Sequence, residues 1–222
     1  GIDFSDQDID EVSLPRLKTR LDSVILMLEN LRGSFDRGKR FLDGVPVSLF
    51  GLPNAGKSSF FNALLGEDRS IVSDIAGTTR DVVRERINLK GSKGYVTFKL
   101  SDTAGLRHAH ADQIEGIGIE RTVQAAKQSD IVIMVADGLK PETIPLRSFL
   151  NSVKGSPDKK FLGLVTKKDR LDEAQKDKIS KELSSAFPEV SQWMFVSSTT
   201  LDGVSEVADE MAKIAEGFLQ RN

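Results

Sequence analysis

The chain has 222 residues, of which 39% are hydrophobic, with a formal net charge of −2 and no cysteine. The near-neutral charge provides no basic field for nucleic acid, and the lack of cysteine excludes a disulfide framework, a thiol nucleophile and a Cys-ligated zinc site. No apolar run approaches the roughly 20 residues that cross a bilayer, and no signal segment is recognisable, so we expect a cytoplasmic protein without membrane contact.

A helix is predicted near the start of the chain, with Ser13 as its N-cap. Its apolar residues alternate in spacing between three and four, which is a narrow seam of the coiled-coil type. The seam residues are Leu14, Leu17, Leu21, Val24, Leu28, Leu31 and Phe35. Such a seam packs against another helix or against the chain's own domain. Three glycines between 33 and 44 mark a boundary, so residues 1–43 are predicted to be a helical segment and residues 44–222 a separate domain.

The second domain begins with a glycine-rich loop between a strand and a helix. Residues 51–58 read Gly-Leu-Pro-Asn-Ala-Gly-Lys-Ser, which is the pattern G-x-x-x-x-G-K-S. An apolar strand over 45–50 precedes the loop and a helix over 58–66 follows it, which is the context of a phosphate-binding loop. The glycines let the backbone wrap round a phosphate with its N–H groups inward. Lys57 can then reach the β- and γ-phosphates, and the Ser58 hydroxyl can hold Mg²⁺.

The later elements alternate between strands and helices. Strands over 82–89 and 95–100, separated by Lys-Gly-Ser-Lys-Gly, are predicted to form an antiparallel hairpin. Further strands are predicted over 130–137, 161–166 and 192–197, and helices over about 113–129, 141–153, 172–187 and 203–218. Nearly continuous apolar strands between helices indicate a mostly parallel sheet covered on both faces. The fold class is therefore α/β, with a mostly parallel six-stranded sheet.

Three polar segments follow predicted strands. Asp102 of Asp-Thr-Ala-Gly can hold Mg²⁺ through water, and Gly105 can offer its N–H to a γ-phosphate. Asp169, which ends a Thr-Lys-Lys-Asp segment, can accept the N1 and N2 protons of guanine, a donor pair that adenine lacks. The stem of Lys167 can cover the base, and backbone N–H groups of Ser197-Ser198-Thr199 can meet the guanine O6. In this order, after a phosphate loop, the segments predict binding of GTP rather than ATP.

The residues of these motifs resemble those of the MnmE (TrmE) family of tRNA-modification GTPases. The similar stretches are residues 51–63, Asp-Ile-Ala-Gly-Thr-Thr-Arg-Asp at 74–81, Asp-Thr-Ala-Gly-Leu-Arg at 102–107 and Ile-Gly-Ile-Glu-Arg at 117–121. Related GTPases share the second stretch. The fourth stretch and the start of the N-terminal helical segment, with Ile-Asp-Phe at 2–4 and Asp-Ile-Asp at 8–10, are specific to this family. The resemblance covers almost the whole chain, and it implies the P-loop GTPase fold and an enzyme that hydrolyses GTP.

The chain also differs from the family pattern. Thr166 stands where Asn is usual; that residue mostly steadies neighbouring loops, and Thr keeps a hydroxyl for this purpose. Ser198 stands where Ala is usual. The family's N-terminal folate-binding domain and longer C-terminal helical domain are not in this sequence. We therefore expect the chain to be the GTPase domain with one flanking helical segment.

The resemblance implies roles for individual residues. The phosphate-binding residues are Asn54, Ala55, Gly56, Lys57, Ser58, Ser59, Asp102 and Gly105. The guanine-binding residues are Thr166, Lys167, Asp169, Ser197, Ser198 and Thr199. Thr79 joins Ser58 as a ligand of Mg²⁺. Leu106 occupies the position of the water-orienting Gln of small signalling GTPases, and Glu115 falls on the family's catalytic glutamate. The alternative for Glu115 is a solvated carboxylate favoured by the dipole of its helix.

The resemblance further implies a cation-assisted mechanism, because no arginine in the matched motifs is placed as a finger. The implied ligands of K⁺ are Asn54, Ser73, Ile75 and Thr78. A K⁺ bridging the phosphates would neutralise developing charge as an arginine finger does. Closure of the loop after Ser73 would let two copies pair through their switch regions. In the full-length family the modification acts on the wobble uridine of certain tRNAs together with a flavin-dependent partner, MnmG (GidA).

Two other functions stay open. A related ribosome-assembly GTPase would be supported by a basic RNA-binding appendage, and the sequence contains none. A nucleotide-gated interaction module, with hydrolysis only as its timer, is favoured by the seam over 14–35, which calls for a helical partner. Turnover measured with and without K⁺ separates an enzyme from such a passive switch.

Overall fold

Strands and helices alternate along the described chain. The computed structural model describes residues 14–66, 71–72, 85–101, 115–155 and 159–220. The helices are α1 (Leu14–Asp43), α2 (Lys57–Gly66), α3 (Glu115–Gln128), α4 (Thr143–Val153), α5 (Glu173–Ala186) and α6 (Val204–Gln220). The strands are β1 (Val45–Gly51), β2 (Ile71–Val72), β3 (Glu85–Gly91), β4 (Gly94–Ser101), β5 (Ile131–Asp137), β6 (Lys160–Thr166) and β7 (Val190–Phe195). The predicted elements after residue 44 are found with ends shifted by a few residues; the predicted strand start at 82–84 lies outside the described residues.

One sheet joins these strands in the order β2-β3-β4-β1-β5-β6-β7. Five of them, from β4 to β7 in that order, run parallel, whereas β3 is antiparallel to β4 and β2 is antiparallel to β3. The predicted α/β fold with a mostly parallel sheet is confirmed. The two-residue β2 adds a seventh strand to the six predicted, since so short a segment carries no periodic signal.

Helices cover both faces of the sheet, because its central strands are apolar on both sides. Side chains of α2 and α6 fill one face together with strand residues, among them Phe60, Phe61, Val207, Met211, Val47 and Ile133. Side chains of α3, α4 and α5 fill the other face, among them Ala126, Phe149, Leu150, Leu183, Met134 and Val165. Burial of one such large side chain contributes about 1.5–3 kcal/mol, so these two layers hold the sheet rigid beneath its loops.

The chain divides into two units, residues 1–39 and 40–222. In the first unit α1 is continuous through Gly33 and Gly38. No side chain of α1 is buried; Leu14 and Phe35 at the two ends of the seam are 79% and 69% exposed. Among the helices of the described part, none is both long and apolar enough to cross a membrane.

The second unit includes the last turn of α1. Arg40 makes a two-pronged ion pair with Asp130, with Nε 2.7 Å from Oδ2 and Nη2 2.9 Å from Oδ1. The Arg40 guanidinium also lies over the ring of Phe218 in α6, 5.0 Å from its centroid. These contacts fix the entry of the chain into β1.

The Glu189 side chain, directly before β7, is expected to make part of the stability of the fold depend on pH. Glu189 accepts hydrogen bonds from Lys154 and from Arg147, whose Nη1 lies 2.9 Å from Oε1. The Lys154 ammonium, more than any other group, lowers the pKa of Glu189 from 4.5 to about 2. A depressed carboxyl pKa stabilises the fold above the unfolded pKa, and this contribution disappears as the pH falls through the folded pKa.

We therefore expect Glu189→Gln to be less stable than the parent chain at pH 7 and the difference to shrink between about pH 4.5 and 2. Urea unfolding at several pH values measures it. Glu173→Gln is the matched control, since Glu173 forms an ion pair with Lys176 while its side chain is 89% exposed, and such pairs contribute little. A stability gap for Glu189→Gln that is constant with pH would contradict the assignment.

Candidate nucleotide site

The loop between β1 and α2 has the enclosed shape of a phosphate site. The Ala55 N–H donates to the Leu52 carbonyl at 3.2 Å, and the Phe60 N–H donates to the Gly56 carbonyl at 2.9 Å. Asn54 and Gly56 adopt positive φ angles of 61° and 88°. Two left-handed residues within three positions turn the backbone round on itself, so that its N–H groups can converge on an anion.

Lys57 crosses the mouth of this loop. Its Nζ donates to the carbonyl oxygens of Gly51 and Leu52, both at 2.7 Å. Burial lowers the pKa of Lys57, because the ammonium has lost part of its hydration. An ammonium has three N–H donors, and two point to carbonyls, so the third can meet a phosphate oxygen. A partly buried ammonium beside the phosphate loop favours an anion as its partner.

Two glycines of the loop lie where a side chain would not fit. An ideal Cβ on Gly51 would lie 2.5 Å from the backbone oxygen of Val135 in the neighbouring strand β5. A Cβ on Gly56 would lie 3.1 Å from the Thr166 Cγ2. The loop therefore sits directly against the ends of β5 and β6, and the glycines of the motif are required by these close approaches.

Thr166, at the end of β6, connects the phosphate loop to the predicted guanine segment. Its hydroxyl lies 2.8 Å from the Ala55 carbonyl oxygen and 3.3 Å from that of Ala136, and the residue is 3% exposed. A single hydroxyl proton serves both carbonyls. The hydroxyl thus steadies the neighbouring loop, as the sequence predicted for Thr in place of Asn. Thr166 lies beside the guanine segment without presenting a free polar group to a base.

Asp169 lies in the short 3₁₀ helix Lys168–Arg170 after β6. A hydrogen bond from the Ser197 side chain is the main cause that lowers the pKa of Asp169, so this carboxylate is ionised at neutral pH. The Ser197 oxygen also accepts from the Thr200 N–H at 3.1 Å. Ser197 is fully buried, so this partner of the Asp169 carboxylate is held inside the fold.

The loop after β7 supplies the candidate donors for a guanine O6. The Ser197 N–H already donates to the Asp202 carbonyl at 2.9 Å, and the Lys168 N–H donates to the Val196 carbonyl at 3.0 Å. The loops after β6 and β7 are therefore joined by their backbones. Of the three predicted O6 donors, the N–H groups of Ser198 and Thr199 remain the candidates, whereas Ser197 acts through its side chain.

The sequence reasoning missed one residue of this region, Asp137 at the end of β5. Its Oδ2 lies 2.5 Å from the Lys167 Nζ, and its Oδ1 accepts from the Leu139 N–H at 2.9 Å. The available signal was its position, since a carboxylate directly after an apolar parallel strand lies at the edge where ligands bind.

Several predicted site residues lie outside the described residues: Ser73, Ile75, Thr78, Thr79, Asp102, Gly105 and Leu106. Glu115 is the first residue of α3. Ser58 and Ser59 lie in the first turn of α2. In the part of the chain that is described, no group of three or more His, Cys, Asp or Glu side chains could hold a metal ion. The Ser58 hydroxyl suits Mg²⁺, which takes few protein ligands and completes its shell with phosphate oxygens and water.

The phosphate loop, Asp137, Thr166 and the loops after β6 and β7 lie at one edge of the sheet, because β1, β5, β6 and β7 are parallel and end together. A family model described as a 50S ribosome-binding GTPase matches residues 46–168, more than half of the chain. The chain belongs to this GTPase family. The GTPase match runs from the first residues of β1 to the start of the guanine segment, so it contains the whole phosphate loop. As a GTPase, the chain is a hydrolase acting on GTP.

Curated proteins similar to this chain are named MnmE, the family that its motifs resemble. The tRNA modification GTPase MnmE of Natranaerobius thermophilus is 36% identical over 216 residues, which are 97% of this chain and 44% of that protein. The protein of the same name from Caldicellulosiruptor saccharolyticus is 38% identical over 183 residues, which are 82% of this chain and 38% of the relative. The resemblance to MnmE is confirmed. The chain spans less than half the length of these relatives.

Solved structures support the GTPase fold. Era in complex with MgGDPNP and nucleotides of 16S ribosomal RNA matches with a TM-score of 0.53 and 22% identity, over 76% of this chain and 55% of that one. The selenocysteine-specific elongation factor EF-Sec matches with a TM-score of 0.57 and 16% identity, over 77% of this chain and 28% of that one. At these identities the likeness concerns the fold alone.

Proposed function

We propose that the chain is the GTP-binding and GTP-hydrolysing domain of a tRNA wobble-uridine modification GTPase, activated by K⁺-dependent dimerisation of its switch regions. The observation that supports the nucleotide part is that a wrapped phosphate loop, with Lys57 across it, lies at the same edge of the sheet as Asp169. The MnmE name of relatives that align with 97% of the chain supports the tRNA part. In the full-length protein, tRNA, an MnmG-type flavoprotein and a cytoplasmic location are proposed on the same resemblance.

Phosphate binding follows from the loop between β1 and α2. The backbone N–H groups of residues 54 and 56–59 and the third donor of Lys57 bind the phosphate oxygens, while the N-terminus of α2 adds its dipole. The Ala55 N–H joins them if it leaves the Leu52 carbonyl, to which it donates at 3.2 Å. Mg²⁺ would be held by Ser58, with Thr79 and a water-mediated contact to Asp102, and it neutralises phosphate charge when bound. In the complex, the negative phosphate would stabilise the Lys57 ammonium, which has lost part of its hydration by burial.

Guanine recognition follows from the loops after β6 and β7. The Asp169 carboxylate accepts two protons from guanine N1 and N2, and an N–H group of Ser198 or Thr199 donates to O6. ATP presents the opposite pattern of donor and acceptor on its base edge, so it leaves the carboxylate and the N–H group unsatisfied. Unsatisfied polar groups of this kind produce strong discrimination between substrates.

The K⁺-dependent part rests on the family resemblance and on one described residue, Asn54. This residue is exposed and left-handed at the outer turn of the phosphate loop, so its side-chain oxygen is free to join Ser73, Ile75 and Thr78 round a large monovalent cation. Such a cation would oppose the negative charge that grows on the phosphate oxygens in the transition state. Glu115, at the start of α3, would orient the attacking water.

Ribosome assembly is the competing function within the same fold. The family model and the Era structure carry ribosomal names, but Era is 22% identical to this chain. The relatives that align with nearly its whole length are MnmE proteins, so tRNA modification is the better-supported proposal.

Hydrolysis in K⁺ compared with Na⁺ tests this proposal. We expect GTP turnover to rise about tenfold or more in K⁺, in line with the effect of one added charge stabiliser. GDP with aluminium fluoride is expected to produce dimers in K⁺ and monomers in Na⁺ during sedimentation. Asn54→Ala should remove the K⁺ response, and Glu115→Ala should stop hydrolysis but still allow pairing.

The matched control is Asn62→Ala, the same change at an exposed position of α2, and it should keep the K⁺ response. A fluoride complex that stays monomeric in saturating K⁺, with turnover indifferent to the cation, would end the K⁺ mechanism for this chain. The tRNA assignment would survive that result, because it rests on different evidence.

A further inference from the structure

We propose that Asp137 is a positioning residue for guanine recognition, which holds the Lys167 side chain in place as a preformed support for the base. The inference deepens the proposed function and rests on it. Sequence reasoning gave Lys167 the task of covering the base and gave Asp137 no task. The structure connects the two residues, which are 30 positions apart in the chain.

The two carboxylate oxygens of Asp137 bind different partners. Oδ1 accepts the N–H of Leu139 at 2.9 Å, which closes the turn after β5. Oδ2 lies 2.5 Å from the Lys167 Nζ. The turn therefore fixes the carboxylate, and the fixed carboxylate in turn fixes the ammonium. The side chain of Asp137 is 21% exposed and that of Lys167 is 31% exposed, so solvent screens this ion pair less than an ordinary surface pair.

The backbone of Lys167 shows that its direction is imposed. Its φ and ψ are 60° and 35°, the left-handed region, which is unfavourable for a residue with a Cβ. Strain of this kind persists only where the surroundings determine the conformation. Here the Arg170 N–H donates to the Lys167 carbonyl at 3.0 Å and the Lys168 N–H donates to the Val196 carbonyl, so the strained residue and its neighbour Lys168 are both held.

The distance between the two residues is set by the sheet. Asp137 lies opposite Thr166 in the parallel register of β5 and β6, and the Gly138 N–H donates to the Thr166 carbonyl at 3.2 Å. A Cβ on Gly138 would approach this carbonyl oxygen to 2.4 Å, so the two loops are in direct backbone contact. The backbone and the Nζ of Lys167 are therefore both anchored, and its methylene stem is held between these two points.

An anchored lysine stem binds a flat base better than a mobile one. A free lysine loses rotamer freedom on ordering, and a side chain ordered in advance removes this cost from binding. A base lying on the stem would also shield the ion pair from water and strengthen it. By linkage, the ion pair then increases the affinity for the base.

A purely structural role makes a different prediction. If Asp137 only holds the β5 turn, its loss affects phosphate and base binding alike, or neither. Asp137→Asn separates these roles, because an amide oxygen still accepts from the Leu139 N–H while the negative charge on Lys167 is removed. Lys167→Met removes the ammonium and keeps an unbranched stem.

The experiment measures the affinities for GDP and for inorganic pyrophosphate, both with Mg²⁺, in the parent chain, in Asp137→Asn, in Lys167→Met and in the double variant. We expect Asp137→Asn to weaken GDP binding about tenfold, mostly through faster dissociation, while pyrophosphate affinity stays within about twofold. In the Lys167→Met background the same change should have no further effect, since the coupling acts through Lys167. The matched control is Asp202→Asn, which removes the ion pair of Asp202 with the adjacent Lys168 and should leave GDP affinity unchanged.

Three results would overturn the inference: unchanged GDP affinity in Asp137→Asn, an equal loss of GDP and pyrophosphate, or a full loss that persists in the Lys167→Met background. The proposed function fails separately, if the parent chain binds GDP no more tightly than ADP.

Discussion

Asp169→Asn is expected to reduce GDP affinity about a hundredfold or more and to admit xanthosine diphosphate. The carboxylate is an acceptor at both oxygens, and the hydrogen bond from Ser197, which lowers its pKa, keeps it so at neutral pH. An amide offers one acceptor and one donor group. The donor would then face a donor of guanine, whereas it would meet the second carbonyl of xanthine. A site built to satisfy such a pair discriminates strongly against a base that cannot.

Competition titrations with GDP, xanthosine diphosphate and ADP measure this change. Asp172→Asn is the matched control. Asp172 caps α5 by accepting from the Gln175 N–H at 2.7 Å, and asparagine caps helices about as well as aspartate, so this variant should keep the base preference of the parent. ATP competing as well as GTP in the parent chain, or an unchanged preference in Asp169→Asn, would contradict the assignment of Asp169 to the base.

The sequence predicted most of the fold because the patterns that identify an element are local. Nearly uninterrupted apolar runs at 131–136 and 161–165 mark strands covered on both faces, and all these residues except Gly163 belong to the buried core. The glycines at 33 and 38 do not interrupt α1, which continues to Asp43. A glycine costs a helix about 1 kcal/mol, which is too little to interrupt a helix of 30 residues.

The site was predicted less completely, because part of it depends on contacts between distant segments. The motif glycines, Lys57 and Asp169 could be named from spacing alone. The pairing of Asp137 with Lys167 follows from the register of β5 and β6, which no local pattern reveals. The hydrogen bond from Ser197 to the Asp169 carboxylate depends on the fold of its loop. The roles of Glu115, Asp102 and the switch ligands stay predictions.

Gly203→Ala is expected to lower the free energy of unfolding by roughly 3 kcal/mol or more. Gly203 ends the loop after β7 with a φ of +82°, and a Cβ there would lie 2.2 Å from the backbone oxygen of Phe195. The left-handed backbone costs an alanine about 1–2 kcal/mol, and the forced displacement adds about 1–3 kcal/mol. The loop also contains Ser197, so the variant is expected to loosen the Asp169 carboxylate and weaken GDP binding.

Gly217→Ala in α6 provides the matched control with the opposite sign. A Cβ on Gly217 meets no atom within 4 Å, and alanine is a better helix former than glycine, so this variant should gain about 0.5–1 kcal/mol. Urea unfolding followed by the fluorescence of Trp193, the one tryptophan of the chain, measures both changes, since this ring is buried against Gly163 and near Phe187. If both variants unfold at the same urea concentration as the parent, the backbone contact between Gly203 and Phe195 does not limit that loop, and the rigidity attributed to the guanine edge of the site is wrong.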